Sequence, residues 1–289
     1  IYADLIDQVK EGISLLNADK PAIEGDLFYN GDIDQWKKFG NSLLLRLGMR
    51  LSKVKPELAA ATAKAAIEGG IMSEAKDMCR LKHIAGGRDE DKNPVALRFQ
   101  KDNYIGQGKV KISQTFMNHL QATNDPRIAV FCSLKDGNAD PSIQKGLPNG
   151  YDKNTISTNS DYTGKLEDYS NFNTNVILRE DAPTLLLMPS ESKLLQAEAA
   201  LRNWVAGDPE ALYKEAICLS MQEQKEAYGV SISEQQVNDY LAQNLFANAA
   251  SQEEKLEVLG NEYWVTTFMN GYESYANWRR CGYPKPTPP

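Results

Sequence analysis

The stretch Pro189–Gly229, PSESKLLQAEAALRNWVAGDPEALYKEAICLSMQEQKEAYG, decides the fold. In its first half Leu194, Ala197, Leu201 and Trp204 recur at three- and four-residue spacing, which places them on one helical face. In its second half the stripe is Tyr213, Ala216, Ile217, Ser220, Met221 and Tyr228. Asp208 is placed to cap the second helix, with Pro209 at its first position, where the missing N–H is harmless, and Gly229 as its stop. Ala197, Ala199, Ala200, Ala211 and Ala216 are small enough to let two helix axes approach closely. The pattern predicts two antiparallel helices joined by a short turn, each with an apolar face that needs a cover. The fold class expected is mainly α, a stack of such helical hairpins.

Outward from this hairpin, more of the same element follows. Leu5, Ile6, Val9, Ile13 and Leu16 predict a helix ending near Asn17. Asn30-Gly31 is a turn signal, and Asp32 with Gln35 a capping pair for a helix running to about Ser52. That helix turns Trp36, Phe39, Gly40, Leu43, Leu47 and Leu51 inward and carries Arg46, Arg50 and Lys53 toward its C-terminal end, where cations complement the macrodipole. Pro56 opens an alanine-rich helix that stops at Gly69-Gly70. Ser113 starts another, closed by Asn124-Asp125-Pro126, and Ile128 to Leu134 reads as a short strand. Ser233 with Gln236 and Ser251 with Glu254 are capping boxes for two further helices, and a last helix carries Tyr275, Ala276, Trp278 and Arg279 before Gly282 and Pro284.

Two excursions lack periodicity, 71–108 and 135–175, and both are expected to be loop. A long irregular stretch inside a compact domain is uncommon unless it is functional. The 289 residues are taken as a single domain, 1–289. A chain that opens at Ile1 inside a helical pattern, without Met, is read as an N-terminally truncated or processed piece. The formal charge is −7 and no Lys/Arg run exceeds two, which gives a phosphate-backbone partner no support. No run approaches the ~18 to 20 apolar residues of a membrane helix. Cys79, Cys132, Cys218 and Cys281 lie far apart without a C-x-x-C, and Cys218 is expected to be a buried free thiol.

Four segments, in this order and at these distances, resemble the SusD/RagB family of outer-membrane nutrient-binding lipoproteins from Bacteroidetes. They are Asn30-Gly31-Asp32 through Trp36 and on to Arg46, Met49, Arg50 and Leu51; Asn124-Asp125-Pro126-Arg127; Ala197-Glu198-Ala199-Ala200; and Asn270-Gly271 followed by Trp278-Arg279-Arg280 and Gly282-Tyr283-Pro284. The resemblance implies a right-handed scaffold of tetratricopeptide-like helix pairs with a loop-rich face that binds glycans or peptides. It also implies a lipid-anchored position on the cell surface and a partner, a TonB-dependent transporter of the SusC type.

Signatures of catalysis are missing: the sequence holds no G-x-S-x-G, no H-E-x-x-H and no P-loop, and His83 and His119 are its only histidines. Gly106-Gln107-Gly108 begins like a dinucleotide fingerprint but lacks the third glycine, so no cofactor is expected. Asp89, Asp91 and Asn93, like Asp136, Asn138 and Asp140, repeat the first three oxygen positions of a calcium loop without its glycine or its final acid, and solvated turns are the competing reading. Trp36, Trp204, Trp264 and Trp278 sit on helical patterns and are expected to be core, with Arg279-Arg280 structural. Tyr104, Tyr151, Tyr162, Tyr169 and Phe172 occur instead in polar loop sequence and are the candidate ligand-binding residues. Exposed rings cover the C–H face of a sugar while neighbouring Asn, Asp and Arg bond its hydroxyls. The competing reading is that each ring pins its own loop. The expected function is non-catalytic capture of an oligosaccharide for delivery to the transporter; the alternative is a tetratricopeptide-type scaffold for a peptide or protein partner.

Overall fold

Several helices begin where a side chain takes up the orphan N–H groups of their first turn. Asp32 accepts from Asp34 and Gln35 at the head of α2 (Ile33–Met49), and Ser233 and Ser251 form reciprocal capping boxes with Gln236 and Glu254 at the heads of α9 (Glu234–Leu241) and α11 (Gln252–Thr266). Gln35 does not complete a box with Asp32; its side-chain amide reaches Asp77 instead. The computed structural model describes residues 1–21, 23–104, 108, 110–243 and 245–285, so Gly106-Gln107 and the tail beyond Lys285 lie outside the described residues. The structure is mainly helical, as expected, with α1 (Tyr2–Leu15), α3 (Pro56–Glu68), α4 (Pro94–Lys101), α5 (Gln114–Ala122), α6 (Ile128–Phe131), α7 (Pro189–Leu201), α8 (Pro209–Tyr228), α10 (Leu245–Asn248) and α12 (Gly271–Cys281). No helix among the described residues is long and apolar enough to cross a membrane. The chain divides into two compact units, one of Ile1–Leu81, Leu185–Glu223 and 245–285, the other of Lys82–Thr184 and Gln224–Gln243.

In the first unit α2 packs on α1, α3 and α7, and α11 packs on α7 and α12. The buried faces are Leu44, Leu45 and Met49 on α2, Ala59, Ala63 and Ala66 on α3, and Leu194, Leu195 and Ala197 on α7. Gly48 lets α3 come close, because a Cβ there would collide with Thr62. α7 and α8 run antiparallel: Ser190 at the start of α7 donates from its backbone N–H to Glu223 Oε1 near the end of α8 (2.8 Å), and Lys193 pairs with Glu215 (3.1 Å). The α7 stripe ends at Leu201 rather than at Trp204. Asn203 takes the left-handed conformation (φ 59°), and the N–H groups of Asn203 and Trp204 turn back to the carbonyls of Ala200 and Ala199. That is a Schellman stop, which swings Trp204 off the helix and under the Arg202 guanidinium, 5.4 Å away.

Arg46 and Arg50 do not serve the α2 dipole from solvent. Arg46 Nε and Nη2 donate to the two oxygens of Glu191 (2.5 and 2.7 Å), and Nη2 also reaches the Leu186 carbonyl. Arg50 pairs with Glu273, and the Tyr263 hydroxyl lies 2.7 Å from Glu191 Oε1 and 2.5 Å from Glu273 Oε1. Burial pushes the Glu191 carboxyl up, whereas the two arginines overcome burial and hold Glu273 low. Beside this cluster Arg280 makes a two-pronged pair with Glu198, 2.7 Å on each side, both side chains about 95 % covered. The inward face of α12 is thus polar (Glu273, Asn277, Arg280), while Tyr272 and Tyr275 are 94 % and 58 % exposed. Arg280 is structural, as read; Arg279 is exposed, and the four tryptophans are half-buried rather than fully core. Trp36 is the best packed, edge-on to Phe28, Tyr29 and Phe39, with its indole N–H on Asp26. Cys218 is half-buried, not buried.

The second unit departs further from expectation. Ile128 to Leu134 is one helical turn, α6, followed by a two-residue strand, Cys132–Ser133, antiparallel to Asn171–Phe172. The excursion 71–108 is not all loop: it holds the strand Cys79–Leu81, which belongs to the first unit, and in the second unit α4, which starts because Asn93 caps Val95 and Ala96 and Pro94 fills the first position. The calcium-like spacings are spent on other bonds. Asp89 pairs with Lys101 (2.6 Å), Asp91 with Arg88 (3.2 Å), and Asn93 is the cap. Asp136, Asn138 and Asp140 each accept a backbone N–H two residues on, a series of Asx turns. No group of three His, Cys, Asp or Glu among the described residues is placed to hold a metal ion.

Glu198 gives the first prediction. Although burial disfavours its charge, Arg280 and Arg202 outweigh that and hold its carboxyl below the usual value of 4.5. Its contribution is therefore complete above the unfolded value and is lost as pH falls through the lower folded one. Glu198→Gln leaves Arg280 buried without its counter-charge and should cost about 3–5 kcal/mol at pH 7 in urea unfolding. The gap to the parent should narrow on acidification below the usual carboxylate range; a constant gap would contradict the assignment.

Candidate functional site

Three segments of the second unit converge on a cleft of about 540 Å³. One wall is the end of α5, contributing Gln121, Asn124, Asp125 and Pro126, with Ile128 behind; the others are the 3₁₀ turn Pro141–Ile143 and the outer face of α9, with Gln236 and Asp239. The volume falls in the ~300–1,000 Å³ range of small-molecule sites.

Each wall is held by bonds its sequence makes locally. α5 ends in a Schellman motif: Asn124 is left-handed (φ 45°), and the N–H groups of Asn124 and Asp125 return to the carbonyls of Gln121 and Leu120. Asp125 then accepts from the Arg127 backbone N–H and guanidinium (2.9 and 2.6 Å), both side chains fully buried. The Arg127 guanidinium lies 5.7 Å from the Tyr240 ring centre on α9, and Gln243 just beyond α9 donates to the Thr123 carbonyl at 2.5 Å. On the opposite wall Asp140 accepts from both the N–H and the hydroxyl of Ser142. Gln144, 1 % exposed, donates to the carbonyls of Asn138 and Asp140, accepts from the Ser170 hydroxyl, and offers its own carbonyl to Gln121 Nε2 (2.9 Å). Gly146 admits this strap against α5, because a Cβ would strike Gln114 Cα and the Ser113 carbonyl. The cleft is preformed, with polar groups on apolar backing.

The aromatic residues singled out from the sequence all belong to this unit but are placed unequally. Tyr169 is 2 % exposed; its hydroxyl donates to the Asp161 carbonyl (2.9 Å) and accepts from the Thr163 N–H (2.8 Å), so it pins the loop from inside. Tyr162 is half-buried and stacks parallel on it at 5.9 Å. Tyr104 stands two residues beyond the C-cap of α4 and packs edge-on against Phe99 (5.7 Å), the apolar contact that accompanies a left-handed helix stop at Asn103. Phe99 also packs on Phe172, giving a three-ring cluster. Tyr151 is half-buried at the head of the Asp152 turn. Four rings thus keep an exposed part, and Tyr169 does not.

A second cavity, about 480 Å³, lies in the first unit and is lined mostly by Leu16, Ile23, Leu27, Phe28, Ile33 and Trp36. Its one well-placed acid, Asp26, is saturated by the N–H groups of Phe28, Tyr29 and Gly31 and by the Trp36 indole. These donors outweigh burial and hold its carboxyl low. Polar recognition therefore favours the first cleft. Sequence reasoning missed Gln236 and Asp239 as site residues: Gln236 reads only as the capping-box partner of Ser233, and Asp239 carries no signal of its own. Asn124-Asp125-Pro126-Arg127 was visible as a motif, and its left-handed Asn before a pairable Asp and Arg is the signal that marks it as built.

Tyr169→Phe removes the group that joins Asp161 to Thr163. It should cost about 1 kcal/mol in thermal unfolding and open the 159–168 segment to protease; parent-like cleavage would show that the loop is pinned elsewhere.

Comparison with known proteins adds a family. The SusD-like family, described as "Starch-binding associating with outer membrane", matches residues 1–289. A solved chitin-binding protein is 30 % identical, with a TM-score of 0.84 over 99 % of this chain and 61 % of its own. A chitin-binding SusD homologue from Flavobacterium johnsoniae is 25 % identical, with a TM-score of 0.77 over 99 % and 61 %. A SusD-like protein from Bacteroidetes is 25 % identical, with a TM-score of 0.80 over 100 % and 66 %. The chain thus spans less than two thirds of the length of these relatives. No match is found among curated proteins. With the helical fold, the four sequence segments and a match along its entire length, the chain belongs to the SusD-like family.

Proposed function

We propose that this chain is a non-catalytic carbohydrate-binding protein of the bacterial cell surface. It holds an oligosaccharide at the cleft between α5, the Pro141–Ile143 turn and α9 and passes it to a SusC-like TonB-dependent transporter. The observation that carries the reading is the cleft itself: its amides, hydroxyl and carboxylate stand on locked backbone, so little ordering entropy is lost when a sugar binds. The family description and the two relatives named as chitin-binding support the ligand class. None of the loop rings lines the cleft; Tyr104, Tyr151, Tyr162 and Phe172 are proposed as a separate contact for the sugar on the same unit, with Tyr169 supporting Tyr162 from behind. A lipid anchor in the precursor completes the reading, and nothing in it requires a bond to be broken.

Affinity electrophoresis in gels containing soluble chitin derivatives or starch tests this. Retardation by at least one polymer is expected, weakened several-fold by Tyr162→Ala or Tyr151→Ala and by Gln236→Glu, which removes the N–H donors but keeps the capping-box acceptor, with the melting temperature retained. Migration unaffected by either polymer would defeat the proposal, and turnover of an aryl glycoside would replace it with an enzyme. Co-purification with a TonB-dependent transporter from detergent-solubilised outer membranes tests the delivery step, and a lone protein at native abundance would remove it.

A further inference from the structure

We infer that the cleft disfavours negatively charged sugars, and that Asp239 gives it a preference for amino sugars carrying a free ammonium over their N-acetylated or acidic counterparts. The inference rests on the glycan-binding reading and names the class of sugar that reading leaves open.

Charge inventory is the first ground. Among the described residues the lining carries one exposed carboxylate, Asp239, beside the buried Asp125, and no lysine, arginine or histidine. The nearby cation, Arg127, is buried and spent on Asp125 through paired contacts. An anionic sugar therefore meets acid and amide but no counter-charge, and desolvation of its carboxylate goes uncompensated.

Hydrogen-bond polarity is the second ground. The Ser142 hydroxyl gives its proton to Asp140 (2.8 Å), so toward the cleft it offers lone pairs. Gln121 spends one N–H on the Gln144 carbonyl (2.9 Å), which holds its amide in place and leaves its oxygen and second N–H for a ligand. Gln236 is oriented the opposite way: its Oε1 receives the Ser233 N–H and hydroxyl in the capping box, so it presents N–H to a ring or hydroxyl oxygen. Asp239 lies on the same outer face of α9, exposed, with Oδ1 held by Gln235 Nε2 at 2.6 Å and Oδ2 keeping its lone pairs. The amides of the lining both donate and accept, so they serve any sugar hydroxyl; the Asp239 carboxylate is what favours an ammonium, because a charge-assisted bond is roughly twice as strong as a neutral one. An N-acetyl group presents one N–H and no charge at the same place.

Calorimetric titration of the full chain with glucosamine, N-acetylglucosamine, galacturonate and malto-oligosaccharides of equal length tests this. The glucosamine oligomer should bind about tenfold tighter than the N-acetylated one, with the ratio shrinking as salt is raised, and the galacturonate oligomer should not bind. Asp239→Asn should bring the ratio near one with the melting temperature unchanged. A ratio that survives Asp239→Asn, galacturonate binding as tight as the neutral sugars, or binding of malto- or N-acetylated oligomers with no preference for the amine would each overturn the inference while leaving glycan binding in place. Failure of all four sugars would overturn both readings.

Discussion

The first unit depends on a buried ionic arrangement in which two arginines of α2 reach carboxylates on α7 and α12, with Tyr263 of α11 between them. Four helices from distant parts of the chain meet there. Buried charges are costly to desolvate, and such a cluster adds little net stability over apolar packing of the same volume. A helix that slides by one residue leaves a charge unpaired in the interior, at a cost of about 3–5 kcal/mol. The Glu198–Arg280 pair repeats the device two turns along α7 and α12. The polar inward face of α12 follows from this, and its tyrosines are displaced outward by the same cause.

The second unit is held by different means. Its helices are short, and its long strap from 135 to 175 has few apolar side chains to bury, so order comes from side chain to backbone bonds. Asp136, Asn138, Asp140 and Asp152 close one turn each, while Gln144 gathers four partners and welds the strap to α5 and Ser170. Bonds of that kind fix backbone direction without filling space. A concave wall studded with polar groups is the natural outcome, and it is what a sugar site needs.

The loop aromatics illustrate how one residue class divides by context. Tyr169 and Tyr162 belong to the same excursion, yet the first has both of its hydroxyl bonds made internally and the second rests on its face. Tyr104 is drawn to Phe99 because the left-handed stop at Asn103 leaves an apolar contact to be made. Loops of this length are packed by their own rings, and only the faces turned away from that packing remain for a ligand.

Local grammar was legible in the amino-acid sequence. The Pro189–Gly229 hairpin, the capping boxes at Ser233 and Ser251, the Asp32 cap and the glycine stop at Gly229 are decided within a few residues by propensity and by which side chain reaches which N–H, and the structure keeps them. Family membership was legible too, because its motifs are ordered along the chain. Charge placement was not. Arg46 and Arg50 read as cations that complement the dipole at a helix end, since nothing nearby in sequence announces Glu191 or Glu273, 145 and 223 residues away. Likewise Asn124 reads only as a helix stop, and Asp239 does not stand out. Only tertiary structure brings them to one cleft, because side chains from separate elements converge through packing, and a pattern of period 3.6 records which face a residue occupies but not what stands opposite it.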